Sequence, residues 1–274
     1  MMVNRSRNAS LAAATLALAI AGFVRAQSSE YRLDESRQWV TVTPEAQSAD
    51  ASLITDARRR LAEDDPAGAQ AILDPWIETN RRAGNRHMAE ALLIRGDALL
   101  AQDREFMALY DYEEICKNHR ESDAFTTAVE RELGIAIRYA NGLRLRIFGI
   151  RWGEPEDVLV ELFLRVSERL PRSQAAERAM IELADYYYRQ RELAQAKDVY
   201  VSYLDSFPNG PNAIRARERR INCDVGRFKG PRYNAAALID AKVQIEQFQR
   251  RYPAEAEATG LNSGLASRLD ESMA

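Results

Sequence analysis

Ala184-Asp185-Tyr186-Tyr187-Tyr188, followed by Ala196, Tyr200, Tyr203 and Phe207-Pro208, decides how this chain is read. Small and aromatic residues at helical spacing run up to Tyr188. Residues 189–192 make a turn, a second helix carries Ala196, Tyr200 and Tyr203, and Pro208 stops it, because proline cannot continue a helix. This is the pattern of a helix–turn–helix repeat of about 34 residues. A second copy lies upstream. Gly96, Leu99, Ala108, Tyr112 and Ile115 match Ala184, Tyr187, Ala196, Tyr200 and Tyr203 at a constant offset of 88 residues. Such pairs cannot bury their apolar faces alone, so they stack and leave an extended groove. The expected fold is all-α: a right-handed α-solenoid of about five helix pairs.

Working outward, the array is predicted over residues 51–255. Leu53, Ala57 and Leu61 mark the first helix of pair one, and Ala69, Leu73, Trp76 and Ile77 its second. Asp65 is placed to cap that second helix, with Pro66 at its first position. Pair two covers residues 87–119. Pair three has a first helix over 125–141, with Leu133, Gly134, Ile137 and Ala140 on one face. Its second helix starts at Glu156, carries Leu159, Phe163 and Val166, and stops at Leu170-Pro171. The small residues of the two helices lie 12 apart in pair two (Gly96 to Ala108) but 25 apart here (Gly134 to Leu159), so residues 142–155 contain an insertion of about 13. Pair four covers 175–207. Pair five starts near Pro211, carries a shorter insertion over 226–234, and closes with Ala241, Ile245, Phe248 and Tyr252-Pro253. Residues 256–274 read as a cap or tail that hides the last apolar face. Ala196 and its equivalents are small because the helices of a pair cross closely there.

Of the 274 residues, 46% are hydrophobic and 29% charged, which suits a folded body with a core. The net charge of −3 shows no basic excess for nucleic acid. No run is read as a strand, although Trp39-Val40-Thr41-Val42-Thr43 suits brief extended structure inside a polar segment, 27–50, expected to be a disordered linker. Residues 1–26 read as a signal peptide: Arg5 and Arg7, then an apolar stretch over 11–24, then Val24-Arg25-Ala26 as a cleavage site. Retention as an anchor is the alternative. Cleavage leaves 35 basic residues against 41 acidic ones, a net charge of −6. Export permits a disulfide between Cys116 and Cys223. Their distance along the array favours two buried free thiols.

No catalytic residues, metal site or cofactor are expected, and the chain is not read as an enzyme. The two histidines, His87 and His119, have no ligand set beside them; Cys116 and His119 alone fall short of the three or four ligands a metal needs. No phosphate loop, dinucleotide fingerprint or nucleophile elbow occurs. The insertion is the sharper candidate. Leu143-Arg144-Leu145-Arg146-Ile147-Phe148-Gly149-Ile150-Arg151-Trp152 combines Arg144, Arg146 and Arg151 with apolar neighbours and Trp152. It either docks on an anionic membrane surface or a partner, or packs back on the array.

Gly230-Pro231-Arg232-Tyr233-Asn234, Ala241, Phe248 and Arg251-Tyr252-Pro253, together with the export signal and repeat endings such as Ser206-Phe207-Pro208-Asn209-Gly210, resemble the BamD-type outer-membrane assembly factors. These are periplasmic tetratricopeptide-repeat proteins, and the resemblance covers residues 51–255. It implies a protein–protein interaction scaffold that helps insert β-barrel proteins, with assembly-machinery subunits or unfolded barrel clients as partners. It also implies a peptide-binding groove lined by first-helix residues Leu93, Asp97 and Leu100, and further on by Asp185 and Tyr188. The implied localisation is the periplasm, peripheral at the outer membrane. An adaptor for cell-wall or division machinery has the same fold and is the competing reading. Two departures stand out: family members carry a lipid-bearing Cys directly after the signal, where this chain has Gln27, and the third pair carries the insertion.

Overall fold

Amphipathic helices too short to be stable alone gain their stability from packing, and here they pack as consecutive antiparallel neighbours. The computed structural model describes residues 30–33, 39–42, 44–147, 150–227 and 231–261. The signal segment, Gln27, Phe148, Gly149, residues 228–230 and the tail from 262 lie outside them. Five helix pairs follow one another: α1 (Pro44–Ala62) with α2 (Pro66–Asn80), α3 (Met88–Ala101) with α4 (Glu105–Asn118), α5 (Ala124–Ala140) with α6 (Glu156–Arg169), α7 (Gln174–Arg189) with α8 (Leu193–Ser206), and α9 (Ala213–Gly226) with α10 (Pro231–Arg251). A short α11 (Pro253–Thr259) closes the row. The chain is an all-α helical repeat solenoid.

Local signals explain the boundaries. Asp65 caps α2 by accepting from the Gly68 amide at 2.8 Å, with Pro66 at the start of the helix. Ser173 caps α7 by accepting from the Ala176 amide at 3.0 Å. The turns inside pairs one, two and four share one device. Asp64, Asp103 and Arg191, each two residues before the second helix, adopt positive φ of 62°, 57° and 65°. At the close crossings, Ala57, Ala69, Ala108, Ala184 and Ala196 are completely buried. A Cβ placed on Gly96 would come within 2.5 Å of the Tyr112 ring, so only glycine fits that crossing as packed.

The third pair departs from the sequence reading. Gly134 does not lie at the crossing: nothing approaches within 4 Å of the Cβ it lacks, and the fully buried small residues of α5 are Ala128 and Ala136. A glycine signals either tight packing or open space, and spacing alone does not separate the two.

Strands also form: none was expected in the insertion, and only Trp39–Thr43 was expected to be extended. Within the insertion, β3 (Leu145–Ile147) pairs antiparallel with β4 (Ile150–Gly153) to make a two-stranded hairpin. The alternation Leu143-Arg144-Leu145-Arg146 has strand period and sets the faces: Leu143 and Leu145 pack against the main core while Arg144 and Arg146 point outward. A second hairpin, β1 (Glu30–Leu33) with β2 (Trp39–Val42), occupies part of the segment read as a linker, and α1 begins at Pro44, earlier than the expected start near Ala51.

The apolar interior is continuous along the row rather than gathered at one centre. One cluster runs from Ile54 in α1 to Tyr186 in α7, the next joins α7, α8 and α9, and the last joins Ile221, Ile245 and Phe248 to Ala256 and Leu261. Cys116 and Cys223 are free and buried in separate clusters, and burial pushes both thiols up to about 12. Among the described residues no helix is long and apolar enough to cross a membrane.

Candidate protein-interaction surfaces

The first helices of successive pairs touch one another: α1 with α3, α3 with α5, and α5 with α7. Curvature brings together the elements on its inner side, so these helices form the inner face. The sequence-derived groove residues were placed on it, but the structure gives most of them a different task. Leu93 and Leu100 are half-buried and pack against the main core. Asp97 accepts from Tyr112 Oη at 2.8 Å and from Arg131 Nε at 2.8 Å, with a second bond from Arg131 at 3.2 Å. Asp185 accepts from Tyr200 Oη at 2.6 Å, binds Arg219, and pairs with Arg215 at 3.3 Å. Tyr188 stacks edge-on against Tyr200 with the Arg219 guanidinium 5.3 Å from its ring centre.

These are two copies of one clamp. A first-helix Asp takes the phenol of its own second helix and the arginine of the next first helix. Tyr112 and Tyr200 lie 15 residues after their Asp, and Arg131 and Arg219 lie 34 after it, which is one repeat length. Burial first, then the facing carboxylate, raises both tyrosine pKa values, so the phenols remain donors. The arginines were missed by the sequence reading. Their spacing of one repeat from each Asp was the signal that could have found them. Asp97 and Asp185 are therefore joints between pairs rather than open ligands for a guest.

Other buried carboxylates are treated alike. Arg95 holds Asp111 at 2.5 Å, Lys197 holds Asp224 at 2.6 Å, and Arg169 holds Glu132 at 2.5 Å. Glu132 is fully buried, and its other oxygen has no hydrogen-bond partner among the described residues. Burial pushes its pKa up to about 7 despite Arg169. What remains open on the inner face is the stripe Arg131, Gly134 and Arg138 along α5. Both arginine side chains are more than two-fifths exposed, and Gly134 has clear space above it.

The insertion residues separate. Arg151 turns inward: it donates to Glu105 at 2.7 Å and to the Arg144 carbonyl at 3.1 Å. It fastens the hairpin to the start of α4. Arg144 pairs with Glu154 at 2.7 Å, and Arg146 donates to the Asp103 carbonyl at 3.4 Å. The Trp152 side chain lies outside the described residues. The hairpin thus packs on the array, with Arg144 and Arg146 on its wet side. Among the described residues no cluster of three or more potential metal ligands exists.

No protein family and no curated protein matches the sequence. Among solved structures, the chain is similar to the C-terminal part of a TPR repeat-containing protein from Cytophaga hutchinsonii, at 14% identity over 77% of this chain and 71% of that one, with a TM-score of 0.43. It is similar to MamA from Desulfovibrio magneticus RS-1, at 16% identity over 74% and 97%, with a TM-score of 0.37. It is also similar to the TPR2AB domain of yeast Sti1, solved in complex with pHSP90, at 14% identity over 84% and 87%, with a TM-score of 0.34.

Proposed function

We propose that this chain is a non-catalytic interaction scaffold of the cell envelope, acting in the periplasm beside the outer membrane, where it helps assemble β-barrel proteins. The observation that supports a scaffold most directly is the inner stripe on α5. A glycine in the middle of a helix costs about 1 kcal/mol relative to alanine, and Gly134 has no packing reason to be there. Its surface between Arg131 and Arg138 suits the close approach of a partner's main chain, whose carbonyls would meet the exposed N–H groups that these arginines do not spend on Asp97, Asp103 and Glu105. The envelope assignment rests on the export signal and on the resemblance at residues 230–234 and 251–253.

The test is recovery of partners from solubilised envelopes with a tagged chain and with its Gly134→Gln variant. Gln at 134 fills open space, so the variant folds while its inner face is obstructed. Wild-type recovery of β-barrel assembly subunits, reduced several-fold by the variant, is the expected result. Recovery of wall synthases instead would reassign the chain to cell-wall or division machinery. Recovery unaffected by Gly134→Gln would remove the inner face from the account. An intact mass of the N-terminal peptide starting near Gln27 without a lipid increment is the expected result for the signal.

A further inference from the structure

The outer side of pair two carries a feature that the fold does not require. Phe106, Met107 and Tyr110 on α4 are 47%, 47% and 61% exposed, and the Phe106 and Tyr110 rings meet edge to face at 5.3 Å. Beside them is an open depression of about 390 Å³, lined by Arg104, Glu105, Phe106, Met107 and Arg146. The repeats supply an internal comparison. Aligned on the buried positions, Phe106, Met107 and Tyr110 correspond to Ala67, Gly68 and Ala71 in α2, to Asp157, Val158 and Glu161 in α6, and to Ala194, Gln195 and Asp198 in α8. In α10 the same places hold Ile239, Asp240 and Val243, the two apolar ones exposed, so large apolar residues at all three positions occur in pair two alone among the five.

The residue before the helix is equally out of pattern. Asp65 and Glu192 precede α2 and α8, where an acid suits the positive end of the helix dipole. In pair two this place holds Arg104, with no side-chain cap on the helix. A cation there opposes the dipole, and it donates to the neutral Gln70 amide oxygen at 3.2 Å. Both neighbouring acids, Asp103 and Glu105, are already engaged by Arg138 and Arg151. The chain as a whole is acidic, yet the rim of this apolar depression is positive.

We propose that the start of α4 and the adjoining β3–β4 hairpin form a docking site for a short acidic segment of another protein, which seats an aromatic or aliphatic side chain beside Phe106 and Met107 and sets a carboxylate against Arg104. Exposed apolar patches of this kind mark interaction sites, and charge at the rim selects the partner. The site builds on the scaffold reading, but its apolar residues lie on α4 and Gly134 on α5, so separate variants test the two.

The probes are two fluorescent pools of nonapeptides with a central Phe or Leu. One pool has Asp, Glu, Ser and Ala at random in the other positions, and the second replaces Asp and Glu by Lys and Arg. Binding is read by anisotropy on the full chain at low salt. The acidic pool should bind, and the paired variant Phe106→Ala/Tyr110→Ala should weaken it at least tenfold. Arg104→Asp should abolish the acidic preference while raising the melting temperature, since it restores the acid found before α2 and α8. That rise separates loss of a site from loss of the fold. Equal binding of both pools, binding of neither, or binding indifferent to these variants would overturn the proposal. So would sedimentation with anionic vesicles, or self-association, that the variants abolish in the absence of peptide binding. Envelope partners lost on Gly134→Gln but retained by the Phe106 and Arg104 variants would leave the inner-face reading standing and remove this one.

Discussion

Gly96 and Gly134 sit in the middle of first helices and carry opposite meanings. Gly96 faces the Tyr112 ring across a helix crossing, and Gly134 faces open space. Gly96→Ala gains helix propensity but forces the ring to shift, and overpacking costs about 1–3 kcal/mol. The expected outcome is a lowered melting temperature. Gly134→Ala has only the propensity gain, about 0.5–1 kcal/mol, or roughly 1–4 °C for a chain of this size. Thermal melts of the two variants check the pair; shifts of the same sign would refute the assignment. The sequence placed both glycines on apolar helix faces. The contact that separates them comes from a residue 16 positions away for Gly96 and from nothing for Gly134. A second residue-scale prediction concerns Glu132, whose buried carboxyl titrates near pH 7 instead of in the usual carboxylate range. The folded chain then holds a proton that the unfolded chain releases, between about pH 4.5 and 7. Stability from this group therefore falls as pH rises through that window, by up to about 3 kcal/mol at about 1.4 per pH unit. Glu132→Gln should flatten the decline in urea midpoints between pH 5 and 8. A variant with the wild-type slope would show that Glu132 is ionised throughout.

At the scale of elements, the clamps between pairs are what spacing along the chain hid. Helical periodicity placed α2 to α9 closely, because apolar faces, Asp65, Pro66, Pro171 and Pro208 are local signals. The arginines Arg131 and Arg219 belong to neighbouring pairs, so they are legible only when residues one repeat apart are compared. The hairpin was hidden for a related reason. Its alternation at 143–147 is brief, and it lies inside a helical array whose period dominates the reading. The clamps also make a graded prediction. Asp185 has a side chain 7% exposed and meets two arginines, whereas Asp97 is 23% exposed and meets one. Breaking a buried pair by removing one partner costs about 3–5 kcal/mol, and an exposed pair about 1 or less. Asp185→Asn should therefore destabilise the chain by a few kcal/mol in denaturant unfolding, and Asp97→Asn by clearly less. Equal losses would mean that both clamps are hydrated alike.

At the scale of the molecule, the three successive apolar clusters set how far a local change travels. Each helix pair touches its neighbours and little else, so stability approximates a sum of pair and nearest-neighbour contributions. The clusters meet at shared residues: Tyr187 and Val199 pack against both the first cluster and the second. Ala196 is the probe of this coupling. It is fully buried where α7 and α8 cross, and Ala196→Leu overpacks the crossing at a cost of about 1–3 kcal/mol. In a one-dimensional array that cost is felt first by pair four, then by α6 and α9 through their shared contacts, and hardly at all by α1 to α3. Native-state hydrogen exchange resolves this directly, because local opening is read amide by amide. The expected result is a loss of protection that is greatest in α7 and α8 and fades toward the first pair. A uniform loss along the chain would show that the array unfolds as one cooperative body. In that case a guest on the inner face would stiffen every pair at once, and binding at Gly134 and at the outer face of pair two would be coupled. With fading protection, the two surfaces act independently, and one scaffold can hold two partners without either changing the affinity of the other.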